Sequence, residues 1–122
     1  MSSTEPEWHS PPESCDAAFT AAYTQLYTDG YTALVCPCCR AGVLRLYFHI
    51  HERFQRQGQR LRRGGSWLWC PVCKAYDHAS ALVPAWWPDT ARVSAHQLFH
   101  APVGLDAYWP DILAMFTEAS TP

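Results

Sequence analysis

The chain has 122 residues, of which 48% are hydrophobic, with six Trp, six Tyr and five Phe, and its formal net charge is −2. These values suit one domain with its own core. They exclude a wholly disordered chain and a global polycation that would coat nucleic acid or an anionic membrane. The charge is uneven: the basic residues concentrate between Arg40 and Lys74, where Glu52 is the one acid, and both flanks are acidic.

Residues 1–13 contain three Pro with Ser and Glu, and predict a flexible tail ahead of a single domain over 14–122. The opening MSSTEPEWHSPPES has acids where a signal peptide needs bases, so a cytoplasmic protein is expected. No run of about 18 apolar residues follows, which argues against a membrane span. A single Lys, no Asn and abundant Arg, Ala and Pro suggest a GC-rich bacterial genome.

From Ser14 the pattern predicts a helix, with Ser14 as N-cap, Asp16 in the first turn and Gly30 as the stop. Cys15, Phe19, Ala22, Tyr23, Leu26 and Tyr27 form its apolar stripe. Tyr31 to Val35 reads as a short strand. Val43 to His51 alternates, with Leu44, Leu46, Phe48 and Ile50 on a buried face and Arg45, Tyr47, His49 and His51 on a polar one. Glu52 to Gly65 (ERFQRQGQRLRRGG) is polar, Arg-rich and Gly-containing, and predicts a hairpin tip. Ser66 to Trp69 returns as a strand, and Tyr76 to Val83 supplies another, so three antiparallel strands are expected. Near the end Asp106 predicts a helix cap, Pro110 a first-turn residue, and Ile112, Leu113 and Phe116 a buried stripe.

Four of the six cysteines form two copies of Cys-Pro-x-Cys, Cys36-Pro37-Cys38-Cys39 and Cys70-Pro71-Val72-Cys73. Without a secretory signal the thiols are expected to stay reduced, which favours a metal over disulfides. Paired C-x-x-C elements offer four thiolates to one tetrahedral ion. Cys36, Cys39, Cys70 and Cys73 are therefore the expected ligands of one structural zinc. Cys38 is the alternative to Cys36 or Cys39, and His78 a further alternative near the site. Cys15 is expected to be a buried helix residue.

The segments CPCCRAG and CPVCKAY resemble the knuckles of the zinc-ribbon superfamily over residues 35–83. The resemblance implies a small α+β fold, a zinc ribbon with a three-stranded antiparallel sheet flanked by an N-terminal and a C-terminal helix. It also implies a positive-φ residue at Gly42. The 30 residues between Cys39 and Cys70 exceed the 15–20 of compact sites and call for a long arm between the knuckles.

For function, Arg53, Arg56, Arg60, Arg62 and Arg63 offer guanidinium forks to phosphates or carboxylates. Trp86 and Trp87, between Pro84 and Pro88, predict an exposed aromatic contact, whereas Trp67 and Trp69 predict core. No phosphate-binding loop, nucleophile elbow or HExxH is present. Asp77, His78 and Ser80 cannot all share one strand face, and His96 and His100 lack a third ligand, so no enzyme is expected. A binding protein with a protein partner is the leading expectation, similar in size and charge to bacterial toxin-immunity proteins. The alternative is a nucleic-acid-binding ribbon that uses the Arg residues.

Overall fold

The computed structural model describes residues 7–89 and 93–120, with side chains through Phe116. Helix α1 spans Glu13–Asp29 and is capped by Pro12 rather than Ser14, because the Cys15 amide donates to the Pro12 carbonyl. Gly30 ends it at φ 98°, a left-handed conformation open to glycine, with its amide donating to Leu26. Phe19 and Leu26 are fully buried, and Ala22, Tyr23 and Tyr27 pack beside them.

Three strands follow: β1 Arg45–Arg56, β2 Gln59–Trp69 and β3 Tyr76–Leu82, antiparallel in the order β1-β2-β3. The fold is thus small α+β, with a three-stranded antiparallel sheet between an N-terminal and a C-terminal helix. The Tyr31–Val35 strand does not form; Val35 makes a single bridge to Val43. The Arg-rich segment, expected as a hairpin tip, is a hairpin with only Gln57 and Gly58 left unpaired at its end. It continues both strands into a long ribbon arm, closed by Gln57 and Gly58 at φ 52° and 77°. Positive φ at both central residues is the signature of the two-residue turn that matches strand twist. Strand pairing persists because Phe54 faces Leu61 across the arm and Asp89 accepts from both members of the opposed Arg53–Arg62 pair.

Both faces of the sheet are covered. Tyr23 and Tyr27 of α1 lie against Phe48 on one face. On the other, the Trp67 indole donates to the Phe99 and His100 carbonyls, and Trp69 packs on Trp109. Tyr47, expected on the polar side, is consequently only 2% exposed.

After a short 3₁₀ turn over Ala95–Gln97 come α2, Val103–Ala107, and α3, Trp109–Ser120. Asp106 is not a cap: it lies inside α2, where its carboxylate accepts from Arg45 (2.7 Å) and the Trp69 indole (2.8 Å). Pro110 sits in the first turn of α3 as expected. Trp109, Ile112 and Met115 form its buried side, and Leu113 is 43% exposed because it lies about 100° away from Ile112.

Within the expected tail, Trp8 and His9 are held. The His9 amide donates to Lys74, its carbonyl accepts from Tyr76, and Trp8 packs edge-on against Tyr76 under the Lys74 ammonium. Residues 1–6 lie outside the described residues. None of the described helices is long and apolar enough to cross a membrane.

Candidate metal centre

The two Cys-Pro-x-Cys turns adopt one geometry. In the first, the Arg40 amide donates to the Cys36 carbonyl (2.9 Å); in the second, Lys74 donates to Cys70 (3.0 Å). Each chain then reverses through a left-handed residue, Arg40 at φ 59° and Lys74 at φ 68°. That position, not Gly42, carries the positive φ. Gly42 is needed for space: a Cβ there would stand 2.5 Å from Cys70 Sγ.

These turns bring Cys36, Cys39, Cys70 and Cys73 together, with all four Sγ atoms within 4.8 Å of one another. Cys36 and Cys73 are 3.9 Å apart, and Cys39 and Cys70 are 3.6 Å apart. Four sulfurs at about 2.3 Å from one ion stand about 3.8 Å apart at the corners of a tetrahedron. The donor set therefore fits a zinc-sized ion with four thiolate ligands.

The surroundings favour thiolate. The Cys38 amide points at Cys36 Sγ (3.4 Å), and the Ala41 and Gly42 amides point at Cys39 Sγ (3.5 and 3.4 Å). Burial works to raise the Cys39 thiol, but these amides and the neighbouring thiols outweigh it and bring it to about 6. Burial pushes Cys70 up to about 12, and Cys73 is raised by the same cause. With Cys39 drawn down while burial raises Cys70 and Cys73, a cation bound between the sulfurs would supply the charge that stabilises them as thiolates.

Cys38 is no ligand. It forms a disulfide with Cys15, which is half-buried rather than buried, so the expectation of wholly reduced thiols is corrected. The first turn of α1 lies against the first knuckle, with the two Cα atoms 5.4 Å apart, a separation a disulfide spans. His78 is also apart from the cluster: its ring stacks on Trp67 with centroids 4.1 Å apart, and it bonds the Ser66 carbonyl. A contact the sequence did not signal comes from His9, whose Nε2 donates to the Cys73 carbonyl at 2.9 Å.

The other expected site residues divide. Trp87 is 3% exposed among Tyr47, Phe48 and Phe116, and the half-buried Trp86 donates its indole N–H to the Tyr27 carbonyl. The pair forms a corner of the core, so the expectation of exposed indoles is corrected. Trp67 and Trp69 are buried as expected. On the arm, Arg53 and Arg62 both donate to Asp89 (2.9 and 3.1 Å), and Arg62 also donates to the Pro84 and Trp87 carbonyls. Arg63 lies over the Phe54 ring and 3.8 Å from Glu52, while Arg56 reaches the same ring at 6.0 Å. Asp89, absent from the sequence-based set, is thus the arm's main counter-charge. His100 bonds the Tyr76 hydroxyl and His96 lies exposed in the 3₁₀ turn.

No family model matches the chain, nor does any curated protein or solved structure.

Proposed function

We propose that the protein is a non-catalytic binding protein in which one structural zinc holds a ribbon whose Arg-bearing arm engages an acidic protein partner. The observation that carries the reading is the convergence of four cysteine sulfurs at tetrahedral spacing. Four thiolates complete the coordination of zinc and leave no position for a substrate, so its role is to fold the chain. The arm projects from the end of the sheet beyond β3, which stops opposite Arg63. Its guanidiniums suit carboxylates, and its sparse apolar surface suits an electrostatically steered complex. A toxin-immunity role fits this reading, with the toxin domain as the acidic partner.

The test has two parts. Metal analysis of the purified protein should return one zinc per chain. A tagged protein should retain a single partner from its own cell lysate after nuclease treatment and at high salt. Recovery of nucleic acid that is lost at high salt would instead favour the nucleic-acid reading, for which the five arm arginines are the supporting observation.

A further inference from the structure

Between the arm and residues 84–89 lies an open cavity of about 580 Å³, lined by Arg53, Arg60, Arg62 and Asp89 around Leu61 and Trp87. Its charge follows from strand register. Past His51, which has no partner between the Ile50 and Glu52 pairs, Arg53 faces Arg62 and Gln55 faces Arg60. Three guanidiniums therefore share one face of a two-stranded ribbon. Like charges directly opposed weaken a sheet unless a counter-charge joins them. Asp89 is the one carboxylate on the described lining, so two positive charges remain in excess.

The three arginines are not equivalent. Arg62 is 17% exposed and spends its donors on Asp89 and two carbonyls, which makes it part of the wall. Arg53 gives one nitrogen to Asp89 and is 56% exposed, leaving the rest of its fork free to bind. Arg60, two pairs nearer the tip and on the same face, lines the cavity and does not reach Asp89 among the bonds formed there.

Resting on the reading of the arm as the binding element, we propose that this cavity is a carboxylate pocket that takes an acidic side chain of the protein partner between Arg53 and Arg60. Planar forks recognise a carboxylate bidentately. Trp87 and Ala85 give apolar surface for the methylene stem of that side chain. Asp89 decides against a nucleic-acid strand, because a phosphate chain needs a continuous positive track and would pass this carboxylate.

The experiment is calorimetric titration of the full, zinc-loaded chain with poly-L-glutamate, alongside single-stranded DNA of equal charge. The chain is compared with Arg60→Gln, Arg53→Gln and the control Arg40→Gln, which removes a charge from the metal knuckle. Thermal unfolding verifies that each variant is folded. Poly-L-glutamate should bind; Arg60→Gln and Arg53→Gln should each weaken it about tenfold (a loss of ~1.4 kcal/mol), with Arg40→Gln within about twofold. Equal weakening by all three would overturn the pocket in favour of diffuse attraction, as would binding of DNA alone. No binding of poly-L-glutamate, with a salt-resistant protein partner still retained from lysate, overturns the pocket and leaves the proposed function standing. Loss of both overturns the two together.

Discussion

Arg40 and Lys74 each hold the left-handed conformation that lets a cysteine turn fold back on its own sulfur. For a residue with a Cβ that conformation costs roughly 1–2 kcal/mol, and glycine escapes it at an entropic cost of roughly 0.5–1 kcal/mol. Arg40→Gly should consequently leave the urea stability of the zinc-loaded protein unchanged or raise it by up to about 1 kcal/mol. Gly42→Ala, two residues away, should do the opposite. Its methyl group would press on Cys70 Sγ, so competition with a zinc chelator should show weakened metal affinity, and stability should fall by about 1–3 kcal/mol. The sequence revealed that the knuckle needs a glycine but not why, since spacing alone does not distinguish a torsional demand from a steric one. The buried phenols add a pH dependence. Burial raises Tyr47 to about 12 and also raises Tyr23 and Tyr31, above an ordinary value of 10.0. The folded state then keeps protons that the unfolded chain releases, so their stabilisation is complete below pH 10 and is lost as pH rises toward about 12. Unfolding curves across that interval, read with tyrosinate absorbance, should show stability falling as the phenols ionise.

Among the elements, the arm was expected as a hairpin, and what its sequence did not show is how far strand pairing runs through the Arg-rich stretch. Its Arg and Gln content reads as a tip, and only Phe54 and Leu61 signal pairing, one apolar residue per strand being too little for periodicity to register. The stretch Val43–His51 was easier: the even-numbered side chains alternate into the core, and only the burial of the opposite face by the chain's C-terminal third was hidden, because it depends on contacts distant in sequence. The Trp86–Trp87 pair misled for the same reason, since nothing local announces that α3 closes over it. Within β2, Gly64 faces Ile50 beside the irregularity at His51, and a side chain there would run into the His49 carbonyl. Gly64→Ala should therefore cost more than about 3 kcal/mol by denaturant unfolding, well above an ordinary surface change. Farther out, the pairs from Arg53–Arg62 to Arg56–Gln59 have no third strand beside them, and two-stranded ribbons are marginal alone. Asp89→Asn should lower hydrogen-exchange protection in the arm while changing global stability by less than about 1 kcal/mol, as befits a largely exposed pair.

At the scale of the molecule, the four-cysteine cluster was readable because two Cys-Pro-x-Cys turns leave a short and rigid sequence signature. The Cys15–Cys38 link was not readable, because it depends on where α1 docks. The two cross-links should behave differently on removal. If the proposed zinc is bound, Cys70→Ser should abolish stoichiometric zinc and unfold much of the sheet by circular dichroism, since binding energy at a four-thiolate site is folding energy. Cys15→Ser should keep one zinc per chain by metal analysis yet lower stability by about 2–4 kcal/mol, the usual worth of a disulfide closing a loop of this kind. Their spans overlap only at residues 36–38, which divides the chain into three stretches with different bonds behind them. A protease nick inside residues 16–37 leaves one covalent molecule. A nick between residues 40 and 69 leaves two pieces that share the four clustered cysteines, so an ion bound there would bridge them. A nick after residue 73 leaves pieces joined by packing alone. What it takes to part the halves of a clipped molecule, whether reductant, chelator or denaturant, would by itself report where the chain was cut.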